Sequence, residues 1–287
     1  MENNRDVLAV SNLTKTYPSF KLDHVSFALQ EGKITGFIGR NGAGKSTTLN
    51  SLFNFVHPDS GSISFFNLDF EQNEKSIKER IGFVSSGINY YPTKKLKKIS
   101  KITSMFYDKW DDKAYQKYMQ MFKLDENKTP AQLSAGMKVK YALTLALSHN
   151  ADLLILDEPT SGLDPVSRDD LLDVFMGLCD EGKTILFSTH ITADLDKCAD
   201  NIIYIKNGKI IAEQSIKEFE DSYRIASFSS KDDMAAYNAY LIGTKRSKDG
   251  YTALIRKENA EHFKDSVRKA DLEEIMIHIE KEAGDNE

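Results

Sequence analysis

The segment Gly39-Arg40-Asn41-Gly42-Ala43-Gly44-Lys45-Ser46-Thr47 constrains this chain more than any other stretch of it. It fits the spacing GxxxxGK[ST] and follows the apolar run of residues 32–39. Its glycines let successive backbone N–H groups turn inward and form an anion cradle, and the helix that follows adds the positive end of its dipole. A strand, a phosphate loop and a helix in that order predict an α/β fold built on a mainly parallel sheet. Gly39, Asn41, Gly42, Ala43, Gly44, Lys45, Ser46 and Thr47 are therefore candidate nucleotide ligands. Lys45 is suited to the charge between the β- and γ-phosphates of ATP, and Ser46 to ligating Mg²⁺.

A second motif, Leu153-Leu154-Ile155-Leu156-Asp157-Glu158, is an apolar run that ends in two acids. By itself such a run marks a buried strand reaching solvent. With a phosphate loop upstream, Asp157 is expected to hold the Mg²⁺ shell and Glu158 to polarise the attacking water as general base. The strand signal returns at Thr184-Ile185-Leu186-Phe187-Ser188. Between the two, Leu171, Leu172, Val174, Phe175 and Leu178 predict one face of a helix, closed by Gly182. Asn207-Gly208 between two apolar runs predicts a type I′ hairpin over residues 202–213.

Leu133-Ser134-Ala135-Gly136-Met137 lies between the nucleotide motifs and resembles the signature sequence of ABC ATPases. Tyr17, Ser161-Gly162-Leu163-Asp164 and His190 follow that family's order, and the resemblance covers roughly residues 5–215. It implies a P-loop NTPase core with an N-terminal antiparallel β subdomain and an inserted helical subdomain. It also implies that Tyr17 stacks on adenine, that Asp164 belongs to the loop meeting a second nucleotide, and that His190 contacts the γ-phosphate. Lys45, Glu158 and His190 are then the catalytic set. Ser134 and Gly136 would face the phosphate loop of a second subunit, most simply in a homodimer. One position departs from the pattern: Ser86 stands where most members place a glutamine that contacts the metal. Ser86 reaches Mg²⁺ through a water, or Asn89 replaces it, and slower hydrolysis or altered coupling, with ATP binding kept, is the expected consequence.

The 287 residues are 40% hydrophobic and 28% charged, as in globular proteins, and a net charge of −5 argues against a general nucleic-acid partner. No apolar run reaches the roughly 18–20 residues that cross a bilayer, so membrane work is expected to need a separate permease subunit. That places the chain peripherally, at the cytoplasmic face of the membrane. Cys179 and Cys198 lack metal-site spacing and read as neutral thiols. The domain reading is 1–219 for the nucleotide domain, with a helical subdomain at about 93–150, and 220–287 for a small C-terminal α/β appendage. In that appendage, strands are expected at 223–228 and 251–255, and helices at 232–241, 258–269 and 271–281. Tyr90 and Tyr91 with the lysines of 94–101 form either a basic-rimmed socket for the partner or a solvated helix face.

Leu-Ser-x-Gly-Met, residues 106–111 and the tail 271–275 resemble Gram-positive exporters of peptides and antimicrobials, the bacitracin-resistance and phenol-soluble modulin types. The competing class is an ABC ATPase acting on DNA or the ribosome. Against it stand the lack of a long heptad coiled coil and the single nucleotide domain.

Overall fold

The computed structural model describes residues 5–85, 91–263 and 266–282. The chain divides into two compact units, Met1–Glu213 and Gln214–Glu287.

In the first unit, β1 (Asp6–Tyr17) and β2 (Phe20–Gln30) form an antiparallel hairpin across Pro18-Ser19. Alternation along them sends Leu8, Val10, Leu22 and Phe27 into the core. β3 (Ile34–Ile38) is buried throughout and leads through the glycine-rich loop into α1 (Lys45–Leu52). β4 (Ser60–Phe65) and β5 (Leu68–Asp69) complete a sheet of order β2-β1-β4-β5. β4 stops before Phe66 because Phe66 and Asn67 turn the chain with φ of 55° and 62°. Asp69 then caps α2 (Phe70–Lys78), which leads to β6 (Ile81–Ser85).

The next stretch is helical. It holds α3 (Leu96–Ser104), α4 (Asp112–Met121), a 3₁₀ turn at Pro130–Gln132 and α5 (Ala135–Ser148). The buried Tyr141 hydroxyl donates to Leu96 O (3.0 Å) and meets Ser100 Oγ (2.8 Å), which ties α5 to α3. Strand and helix then alternate through β7 (Leu153–Asp157), α6 (Pro165–Asp180), β8 (Thr184–Thr189) and α7 (Thr192–Cys198). β9 (Asn201–Lys206) and β10 (Lys209–Ser215) close the series.

The second sheet has the order β10-β9-β3-β8-β7-β6, and β9-β3-β8-β7-β6 run parallel. β3, β7 and β8 are short apolar runs without alternation because both faces of the sheet are covered. A cluster containing Leu22, Phe37, Phe65, Ile155 and Leu186 joins the two sheets. Each such side chain contributes roughly 1.5–3 kcal/mol by burial. α6 buries Leu171, Leu172, Phe175 and Leu178, and Gly182 follows its end with φ of 87°. In the β9–β10 turn, Asn207 and Gly208 both have positive φ (49° and 75°), as a type I′ hairpin requires. A Cβ on Gly208 would lie 1.9 Å from Lys21 O, so the position excludes side chains.

The second unit contains α8 (Ile216–Asp221), β11 (Tyr223–Phe228), α9 (Lys231–Ala235), β12 (Ile242–Ser247), β13 (Gly250–Arg256), β14 (Val267–Lys269) and α10 (Leu272–Lys281). Its antiparallel sheet has the order β12-β13-β11-β14. Two helices expected from the sequence are corrected here. The helix expected over 232–241 is shortened to α9, which ends at Ala235, and a separate 3₁₀ turn follows at Asn238–Tyr240. Where a helix is expected over 258–269, a 3₁₀ stretch spans Lys257–Phe263 and β14 spans Val267–Lys269. Ala260, Phe263 and Val267 have helical spacing, but Phe263 packs on Tyr237 and Phe228, and Val267 pairs with Ala226 on the open edge of β11. Hydrogen bonding along that edge outweighs the helical periodicity. β12 has no sequence signature because Ile242 is its only apolar side chain. Among the described residues, no helix is long and apolar enough to cross a membrane.

Candidate functional site

The glycine-rich loop joins the C-terminal end of β3 to α1. Gly39 has φ of 154°, and a Cβ there would lie 2.3 Å from Ile205 O, so only glycine lets the loop pass β9. The start of α1 has Gly44 as its N-cap and no side-chain cap. Its first N–H groups are therefore available to an anion. Lys45 is 5% exposed, and its Nζ donates to Gly39 O (2.7 Å) and Arg40 O (3.3 Å). The loop opens on a cleft of about 420 Å³ whose walls include Phe20, Asn41, Gly42, Ser46, Thr47 and Glu158. Ala43 is buried beneath the cradle, and its carbonyl accepts from Gly208 N–H (2.9 Å).

Parallel pairing brings the ends of three strands to this cleft. Register pairs Asp157 with Ser188 across β7 and β8, and Ile38 with Thr189 across β3 and β8. The phosphate loop, the acids and His190 thus emerge along one edge, where open α/β sheets bind ligands. Ser188 Oγ donates to Asp157 Oδ1 (2.6 Å) and accepts from Glu158 N–H (2.8 Å). Glu158 has φ of 48°, a left-handed conformation that costs a non-glycine residue about 1 kcal/mol or more and persists where surroundings over-determine it. Its Oε1 lies 3.7 Å from Lys45 Nζ and 3.5 Å from His190 Nδ1. Two basic groups and one carboxylate oxygen therefore converge at the mouth of the cleft. Ser188 was not legible as a site residue, because a serine near the end of an apolar strand carries no signal until register sets it opposite Asp157.

Other expected residues lie elsewhere. Ser134 is the N-cap of α5, exposed, with Oγ accepting from Met137 N–H (3.3 Å). Gly136 is buried, and a Cβ on it would stand 3.5 Å from the Leu163 side chain. Neither Ser134 nor Gly136 lines the phosphate cleft of its own chain. Asp164 caps α6, accepting from Val166 N–H (3.1 Å) and Ser167 N–H (3.0 Å), and its bonds to Ser167 hold its carboxyl below the usual carboxylate range. Tyr17 is half-exposed at the end of β1, its ring 6.4 Å from that of Phe20. Phe20, not Tyr17, contributes to the cleft wall. Ser86, Asn89 and Tyr90 fall outside the described residues. Both cysteines are free, and burial pushes the Cys198 thiol up to about 12.

Three comparisons bear on this geometry. The ABC transporter family model matches residues 22–161. The bacitracin transport ATP-binding protein BcrA of Bacillus licheniformis is 33% identical over 211 residues, spanning 72% of this chain and 69% of that protein. The Nod factor export ATP-binding protein I of Burkholderia lata is 34% identical over 194 residues, or 66% of this chain and 64% of that protein. An ATP-binding cassette solved as a dimer in a post-hydrolysis state, bound to ADP and Pi, superposes with a TM-score of 0.64 at 27% identity. That match covers 72% of this chain and 98% of the other.

Proposed function

The chain belongs to the ABC transporter ATP-binding family and is an ATP-hydrolysing transporter subunit, and from that premise we propose how its residues share the work. The first compact unit, residues 1–213, carries the nucleotide chemistry, and the second, 214–287, forms an accessory domain. The N–H groups of residues 42–47 cradle the phosphates of ATP. Lys45 exchanges the carbonyls of Gly39 and Arg40 for the β- and γ-phosphate oxygens. Tyr17 covers the adenine. Ser46 and Asp157 offer a hydroxyl and a carboxylate, the hard oxygen donors that would suit Mg²⁺. When bound, Mg²⁺ neutralises charge developing on the phosphates.

Glu158 accepts the proton of the attacking water, and His190 holds the γ-phosphate and the Glu158 carboxylate in register. Ser134, Gly136 and the free N–H groups opening α5 close over the γ-phosphate from a second copy, whose Asp164 loop meets the shared interface. The observation that carries this reading is the convergence of Lys45 and His190 on Glu158 Oε1 at the cleft mouth, with Ser134 on a different part of the same chain. One copy therefore holds half of each site, and a head-to-tail homodimer completes both. The dimeric cassette bound to ADP and Pi supports this arrangement.

The membrane partner is a separately encoded permease, which keeps the chain at the cytoplasmic face. Met105 and Phe106, 80% and 73% exposed at the end of α3, are apolar surface suited to a protein partner. The relatives named for bacitracin transport and Nod factor export support export, here of an amphipathic peptide or antibiotic. The test is Glu158→Gln in the full chain. ATP binding is expected to persist, turnover to vanish, and a stable dimer to appear by size-exclusion chromatography with ATP. Normal turnover in that variant would overturn the assignment of the base. Co-purification of the tagged chain with an integral membrane protein supports the transport reading, whereas co-sedimentation with ribosomes overturns it.

A further inference from the structure

The loop after Glu158 and the turn carrying His190 meet at one buried acid. Asp194, in α7, has 0% exposure. Its Oδ2 accepts from Thr160 Oγ1 (2.6 Å) and from Thr189 Oγ1 (3.3 Å), and both threonines are buried. Thr189 Oγ1 in turn accepts from Ile191 N–H (3.0 Å), which closes the backbone around His190. Thr160 O accepts from Leu163 N–H (3.2 Å), and Glu158 O from Ser161 N–H (3.1 Å), so the segment from Glu158 to Leu163 is two overlapping hydrogen-bonded turns. A single carboxyl therefore grips the residue before His190 and the second residue after Glu158.

Its other oxygen faces the helix that follows. Asp194 Oδ1 lies 3.7 Å from Arg168 Nε, and neither atom makes a hydrogen bond. Arg168 sits in the first turn of α6, where its N–H bonds to Asp164 O (3.0 Å). Lys197 fastens the same two helices, pairing with Asp169 and with Asp173 (2.7 Å). Burying a carboxyl with one oxygen held only by a long ion pair and no hydrogen bond is costly, and apolar residues of similar volume often serve a core as well or better.

We propose that Asp194 is a positioning residue for ATP hydrolysis. Through Thr189 and Thr160 it keeps His190, Glu158 and the 161–164 loop in one register, so that displacement of His190 is felt by the loop meeting the second copy. The inference rests on the roles given above to Glu158 and His190. Asp194 touches no substrate, so its loss leaves nucleotide affinity intact and lowers only the rate at which bound ATP is cleaved.

The experiment compares Thr160→Val, Thr160→Ser, Asp194→Ala, the Asp194→Ala/Thr160→Val double variant and His190→Ala. It uses the full chain, at a temperature where thermal melts show each variant folded. Thr160→Val is expected to lower kcat about tenfold with KM for ATP within about twofold, as loss of one buried hydrogen bond in a catalytic scaffold implies. Thr160→Ser keeps the hydroxyl and is expected to restore kcat. The double variant is expected to be no slower than Asp194→Ala alone, because both remove the same link. A folded Thr160→Val with unchanged kcat, while His190→Ala is inactive, overturns this inference and leaves the site assignment standing. Turnover retained in His190→Ala overturns the site assignment itself. Should Asp194→Ala fail to fold, the Thr160 pair alone decides.

Discussion

Replacing Ser188 by alanine tests whether the two acids at the end of β7 are held by the neighbouring strand. The substitution removes one oxygen and with it the partners of Asp157 Oδ1 (2.6 Å) and Glu158 N–H (2.8 Å). Leaving buried polar partners unmatched costs about 1–3 kcal/mol each, and because Asp157 and Glu158 are only partly buried, water re-entry at the cleft edge holds the sum to about 3 kcal/mol. For a unit of this size that corresponds to a melting transition roughly 6–12 °C lower. The catalytic effect has a separate origin. Glu158 is held at a φ of 48°, and without Ser188 its backbone is free to leave that conformation. Misplacing a base by about 1 Å costs on the order of 100-fold in rate, so kcat is expected to fall between about 10- and 100-fold. Nucleotide affinity changes little, because Lys45 and the loop glycines are untouched. Scanning calorimetry and a coupled ATPase assay on the full chain read the two effects. A melting shift under about 2 °C together with kcat within about twofold of the parent would refute the reasoning.

Gly39→Ala places a Cβ 2.3 Å from Ile205 O in a conformation that L-residues avoid, and is expected to weaken ATP binding more than about tenfold by calorimetric titration. His149 is buried, stacks on Tyr107 (3.8 Å between ring centres), and meets Glu79 O through Nδ1 (3.0 Å). Burial lowers its pKa from the ordinary 6.5 to about 4, so the unfolded chain binds the proton more readily. The stability this confers is full above pH 6.5 and is lost as pH falls toward 4, by no more than about 3 kcal/mol. His149→Phe, which keeps the stack, is expected to flatten the pH dependence of the urea midpoint across that window; an unchanged slope refutes the assignment.

Much of the site was readable because its chemistry is local. Gly39 to Thr47 form a cradle through their own backbone, and Asp157-Glu158 end a run whose apolar side chains announce a buried strand. Asn207-Gly208 fixed its hairpin in the same way, since two positive φ angles need those residues. In the tail, β11, β13 and α10 form where the sequence places them, and the departures fall where local and nonlocal forces compete. Residues 258–269 have helical spacing, but Phe263 is drawn to Tyr237 and Val267 to the edge of β11. No local pattern encodes a partner strand supplied some forty residues earlier in the chain.

The sequence by itself thus determined which groups are available: phosphate-binding N–H groups, one lysine, two acids and a signature helix. Tertiary structure alone decided how they are held. β7 lies beside β8 in a register that sets Ser188 against Asp157, and α7 folds back to bury Asp194 between Thr160 and Thr189. It also puts Ser134 away from the cleft that contains Lys45. The physical reason is that serine, threonine and aspartate side chains are short and unselective. Their roles follow from distances of about 3 Å between strands and helices far apart in the chain, and only packing sets those distances.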